Sequence, residues 1–118
     1  MEFTNAFHVW NNILYFLEEK LAILGLNERE ANEFIVYWLP QLEANDYTFI
    51  RFATLEEINS RMPLNISPAP DTIIRVLMEF KSVNEKFDYK EQVLSTPERH
   101  GFTVVEWGGT HLPEVNSQ

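Results

Sequence analysis

Residues 72–81 read Thr-Ile-Ile-Arg-Val-Leu-Met-Glu-Phe-Lys, and this stretch decides the fold. Successive side chains of a strand point to opposite faces. Ile74, Val76, Met78 and Phe80 therefore share one face, and Ile73, Arg75, Leu77 and Glu79 share the other. The first face is wholly apolar, which predicts a strand over Thr72–Lys81 with that face turned toward a helical layer. Ser67-Pro68-Ala69-Pro70-Asp71 leads into it as a rigid connector, because proline fixes its own backbone and donates no ladder hydrogen bond.

Upstream, Tyr47–Phe52 also alternates: Thr48, Ile50 and Phe52 on one face, Tyr47, Phe49 and Arg51 on the other. Thr54 and Glu57 match a capping box, which suggests a helical turn within residues 54–62. Leu64 and Ile66 flank Asn65 as a short strand, placed at an edge by Pro63. Downstream, a short strand is expected near Phe87–Val93 and a last one over Phe102–Trp107, closed by a turn at Gly108-Gly109.

The N-terminal third has helical spacing instead. Val9, Trp10, Ile13, Leu14, Leu17, Leu21 and Leu24 recur at steps of three and four, and Gly25 stands where a left-handed residue ends a helix. Asn27 with Glu30 gives capping-box spacing for a second helix, whose apolar stripe is Ala31, Phe34, Ile35, Trp38, Leu39 and Leu42. Pro40 predicts a kink or break near Trp38–Pro40. Two helices followed by strands make an α+β fold: an N-terminal helical pair packed on one face of a small, mostly antiparallel sheet of about three to five strands. Short spacings between the strands suggest a meander. Residues 1–109 form a single domain on this reading, and 110–118 a loosely ordered tail.

Composition narrows the chemistry. The chain has 118 residues, 45% of them apolar, enough to build a core. It has no cysteine, which removes disulfides, thiolate metal sites and a cysteine nucleophile, and which fits either side of a membrane. A net charge of −9 argues against nucleic acid as the partner. No stretch is long and apolar enough for a membrane span. Residues 1–60 carry ten acidic and three basic side chains, so the acidity is concentrated in the helical half.

No constellation of residues stands out as catalytic. His8, His100 and His111 are far apart and lack metal-ligand spacing, so no metal or cofactor is expected. Ser95, Thr96, Glu98 and His100 cluster in sequence, but Thr96-Pro97-Glu98-Arg99 also reads as a turn. Arg75 and Glu106 are each central in a strand, and neighbouring strands would pair them as a surface ion pair worth less than about 1 kcal/mol.

Three segments carry a resemblance: LGLNEREANEFIVYWLP (24–40), PAPDTIIRV (68–76) and TPERHGFTVVEWGG (96–109). In this order and spacing they resemble the C-terminal region of a group of uncharacterised bacterial secreted or lipoprotein-type envelope proteins, over residues 17–109. The resemblance implies an extracytoplasmic setting and carries over no activity and no cofactor. The functional expectation is a non-catalytic protein-binding or accessory module of the bacterial cell envelope. Its partner would be met through the sheet face and final strand, with Arg75, Glu98, Arg99, Glu106 and Tyr47 as contact residues. Two alternatives compete with it. One is a small enzyme or metal-binding domain using Glu98, His100 and Glu106. The other is an acidic inhibitor or immunity-type protein.

Overall fold

A computed structural model describes residues 5–8, 12–44, 47–83 and 91–113, with backbone alone for 5–8 and 12. The elements are β1 (Asn5–His8), α1 (Asn12–Ile23), α2 (Glu28–Leu42), β2 (Tyr47–Phe52), α3 (Leu55–Arg61), β3 (Thr72–Val83) and β4 (Thr103–His111). The strands form one sheet in the order β1-β2-β3-β4. The expected α+β architecture is present, with α1 and α2 on one face of the sheet.

Each helix end follows from local chemistry. Gly25 has φ +107, and the Leu26 and Gly25 amides donate to the Leu21 and Ala22 carbonyls at 3.0 and 3.1 Å. That is a Schellman motif, and it ends α1. Asn27 Oδ1 accepts from the Glu30 amide while the Asn27 amide donates to the Glu30 carboxylate, both at 2.9 Å, so the capping box starting α2 is complete. Contrary to the expected break, α2 continues through Pro40 to Leu42. Pro40 lies in the last turn with its ring exposed, so its cost is confined to a helix end. Thr54 and Glu57 make the second capping box, and the suggested turn is a full helix, α3.

The alternation of β3 holds. Ile74, Val76, Met78 and Phe80 are each at most 4% exposed and join α1 and α2 in the core. In register with them, Thr48, Ile50 and Phe52 of β2 point to the same side. Aromatic contacts fasten the layers: Phe16 to Phe52 between α1 and β2, Trp38 to Phe80 between α2 and β3, and Phe34 to Trp107 between α2 and β4. Buried Thr48 donates to the Leu42 carbonyl at 2.9 Å and ties the end of α2 to β2.

Four expectations need correction. The sheet is not a meander: β1–β2 and β2–β3 are antiparallel, but β3–β4 is parallel. A parallel pair needs a long crossover, and the stretch between Val83 and Thr103 provides it. The expected strand Phe87–Val93 lies partly outside the described residues, and 91–93 carry no strand. Leu64–Ile66 is not a strand either, and Asn5–His8, read only as an apolar lead into the first helix, is one. Of the predicted first helix, residues 9–11 lie outside the described residues. Finally, Gly108 and Gly109 are not a turn; β4 runs through both to His111, past the expected domain limit.

The two glycines differ in their surroundings. A Cβ on Gly109 would lie 2.7 Å from Trp38 Cζ2, so the glycine lets the indole rest on the strand. A Cβ on Gly108 would meet nothing within 4 Å. Gly109→Ala should therefore destabilise the fold by about 1–3 kcal/mol through overpacking. Gly108→Ala should be neutral or stabilising by up to about 1 kcal/mol. Paired denaturant titrations of the two variants check this contrast.

Candidate functional site

The site begins where β2 leaves the sheet. The Thr54 capping box turns the chain into α3, so the last β2–β3 contact is the Ala53 amide donating to the Leu77 carbonyl at 3.0 Å. Strand β3 starts at Thr72 and therefore extends beyond β2 by several residues. In a ladder, backbone groups face alternate neighbours. The Thr72 amide donates to Phe102 on the β4 side and Leu77 accepts on the β2 side, so the amides and carbonyls of Ile73 and Arg75 face the β2 side. Among the described residues those groups have no hydrogen-bond partner.

They open into a cleft of about 250 Å³. Its walls are Phe52–Leu55 on one side and Gln92–Pro97 on the other, with Ile73–Arg75 as the floor. The second wall is firmly anchored. The Gln92 side-chain amide brackets the Phe52 backbone, accepting from its N–H at 3.0 Å and donating to its carbonyl at 2.8 Å. Buried Lys20 pairs with Glu91, Leu94 packs on the core, and Pro97 fits against Gly25. Arg99 makes a two-pronged contact with Glu30 at 2.8 and 2.7 Å and donates to the Gly25 carbonyl at 3.0 Å. Between these anchors the lips are apolar and uncovered: Val93 is 92% exposed and Leu55 51%.

The residues expected to contact a partner do not converge. Arg75 and Glu106 are brought together, in register and with Nε–Oε1 at 2.6 Å. Their pair is not a surface one, because α3 covers that face: the Arg75 side chain is 2% exposed and Glu106 46%. Arg75 also donates to Asn59 Oδ1 at 3.1 Å and to the Met62 carbonyl at 2.6 Å, which fixes the chain leaving α3. Arg99 serves the α1–α2 turn, while Glu98 is exposed. Tyr47 pairs in register with Val83, about 26 Å along β3 from Arg75. His100 is tied through its backbone to Thr72 Oγ1, so it marks the start of β3 and β4, whereas His111 ends β4. No three His, Asp or Glu side chains converge on a metal-sized site among the described residues.

A second network lies on the α3 face. Arg51 contacts Glu79 at 2.6 Å and both oxygens of Glu57 at 2.9 Å, and Arg61 reaches Glu79 at 3.3 Å. It clips α3 over β2 and β3. The Thr54 capping interaction, followed by Arg51, holds the Glu57 carboxyl below its usual value of 4.5. The Arg99 hydrogen bond, assisted by the Asn27 amide, does the same for Glu30 against partial burial.

The cleft was missed by sequence reading. The Thr54 capping box was the available signal, since it says where β2 must stop; nothing in the polar stretch around Gln92 marks it as a wall. Compared with known protein families, curated proteins and solved structures, the chain matches none. Its functional reading therefore rests on its own residues.

Two predictions follow from these pairings. Arg75→Ala should destabilise by about 2–4 kcal/mol, because it removes a buried charge and orphans the Met62 carbonyl. Chemical denaturation measures this, and a loss under about 1 kcal/mol would restore the surface-pair reading. For Glu30 the folded carboxyl titrates below the unfolded one, so its contribution is present above 4.5 and is lost as the pH falls through the depressed value. The difference in Tm between the wild type and Glu30→Gln should be largest at neutral pH and should close in acid.

Proposed function

We propose that this protein is a non-catalytic protein-binding module that holds an extended, apolar segment of a partner in the cleft beside β3. The observation that carries the reading is the unpaired backbone of Ile73 and Arg75 beneath the exposed side chains of Leu55 and Val93. A strand edge recognises another backbone through its amides and carbonyls, and flanking pockets select side chains. The cleft is below the roughly 300–1,000 Å³ of a typical small-molecule site, and it runs along a strand edge, which suits a short length of chain better than a compact metabolite.

The enzyme alternative has less support, because Glu98, His100 and Glu106 serve different places in the fold. The acidic-inhibitor alternative also has less. Glu30, Glu57, Glu79, Glu91 and Glu106 are each held by an arginine or lysine of the same chain and are not offered outward as a free anionic surface. Following the resemblance in the three segments, we place the module at the bacterial cell envelope; that resemblance is the support for the compartment.

Amide hydrogen exchange and peptide selection test the proposal together. In the free protein the Ile73 and Arg75 amides should exchange faster than those of Ile74 and Val76, although all four lie inside β3. Peptides selected from a displayed random library should carry alternating apolar residues and should slow exchange at Ile73 and Arg75. Leu55→Asp combined with Val93→Asp should weaken them by about tenfold or more, the loss expected from about 1.4 kcal/mol. Selected peptides that leave both amides unchanged would sink the reading, as would the absence of any selected sequence.

A further inference from the structure

The opposite edge of the sheet carries a separate surface. Strand β4 has a neighbour only on its β3 side. The Phe102 carbonyl accepts from Thr72 across that ladder, so the backbone groups of the even-numbered residues of β4 face β3. The amides and carbonyls of Thr103, Val105, Trp107, Gly109 and His111 face outward along the nine residues of the strand. Natural edges of this length are usually blunted by lysine, proline or an inward charge. Thr103–His111 has neither lysine nor proline, and its one acidic residue, Glu106, is drawn inward to Arg75. Beside the edge, Tyr37 of α2 is 58% exposed, its ring 6.0 Å from that of Trp107.

We infer that this edge pairs with the same edge of a second copy, antiparallel, giving a symmetric dimer with one continuous sheet. The sequence of the strand selects both occupant and register. Outward-facing residues must pair with outward-facing residues. Of the registers that satisfy this, the one centred on Trp107 overlaps all nine residues. It sets Val105 opposite Gly109, Thr103 opposite His111 and Glu106 opposite Gly108. A shift of one step that centres the axis on Glu106 would put two carboxylates directly opposite each other, which is unfavourable. The Trp107-centred register supplies about ten backbone hydrogen bonds. It also brings the two Trp107 rings together, with Tyr37 of each copy alongside. Gly108 has room for the facing Glu106 because nothing lies within 4 Å of where its Cβ would be. This dimer uses β4 and leaves the cleft beside β3 open, so it stands or falls independently of the peptide-binding proposal.

The test exploits the open space at Gly108. A side chain there should leave the monomer folded, yet it faces Glu106 of the other copy twice across the two-fold axis. Sedimentation equilibrium of the full chain would be run at about 0.15 M salt, where the repulsion between two acidic copies is screened beyond about 8 Å. Wild type, Gly108→Glu and Gly108→Lys would be compared, with thermal melts confirming that each is folded. The expected result is a wild-type dimer that Gly108→Glu weakens about tenfold or more and Gly108→Lys tightens. A protein that stays monomeric to about 1 mM would overturn the inference, as would a dimer indifferent to the charge at Gly108. Thr110→Lys provides the register control: a dimer tightened by Thr110→Lys and not by Gly108→Lys would overturn the Trp107-centred pairing.

Discussion

Strand β3 is buried on both faces, and the rest of the structure answers that constraint. Its apolar face needs a hydrophobic layer, which α1 and α2 supply. Its second face carries Arg75 and Glu79, both under 10% exposed, and a buried charge without a partner costs several kcal/mol. Each has found partners from a different element: Arg75 from β4 and the end of α3, Glu79 from β2 and α3. The short helix α3 is therefore held by polar contacts as much as by its one buried side chain, Ile58. Without those pairs the second face of β3 would be an arginine and a glutamate beneath an apolar helix.

The same constraint creates the cleft. Thr54 diverts the chain from the plane of the sheet so that α3 can cover Arg75 and Glu79, and this ends β2 before β3 ends. The gap left in the sheet is walled by the crossover that brings the chain back to β4. That crossover is pinned by Lys20–Glu91, by Gln92 on Phe52, by Pro97 on Gly25 and by Arg99 on Glu30. Several residues with the look of a binding surface are thus engaged in closing the fold. Arg99 is the clearest case: its guanidinium bridges the α1–α2 turn to the approach of β4, and the free groups lie instead on the backbone of β3. The buried Trp38 Nε1 has no partner among the described residues, and the packing offers no physical account of it.

Periodicity and capping made the helical pair, β2, β3 and the start of β4 readable. They are local properties: apolar spacing, a glycine that can adopt positive φ, and reciprocal side-chain caps at Asn27 and Thr54. The Arg75–Glu106 pair was readable as a possibility because both residues sit centrally in strong strand patterns. Its burial was not, since it depends on α3 lying over that face. The two glycines of β4 were misread because glycine weakens a strand when considered alone. Here Trp38 occupies the space above Gly109, and the pairing with β3 carries the strand through.

The sequence by itself determined which faces are apolar and where each helix begins, because period and caps act within one element. It also determined that Tyr47–Phe52 must stop before Thr54, although the consequence of that stop lies elsewhere in the chain. Tertiary structure alone decided the parallel pairing of β4, the cover over Arg75 and the walls of the cleft. Each of these joins residues tens of positions apart, as Gln92 joins Phe52 and Arg99 joins Glu30. Such contacts are set by how the layers pack and by which buried polar group needs a partner, and neither leaves a periodic mark on the chain.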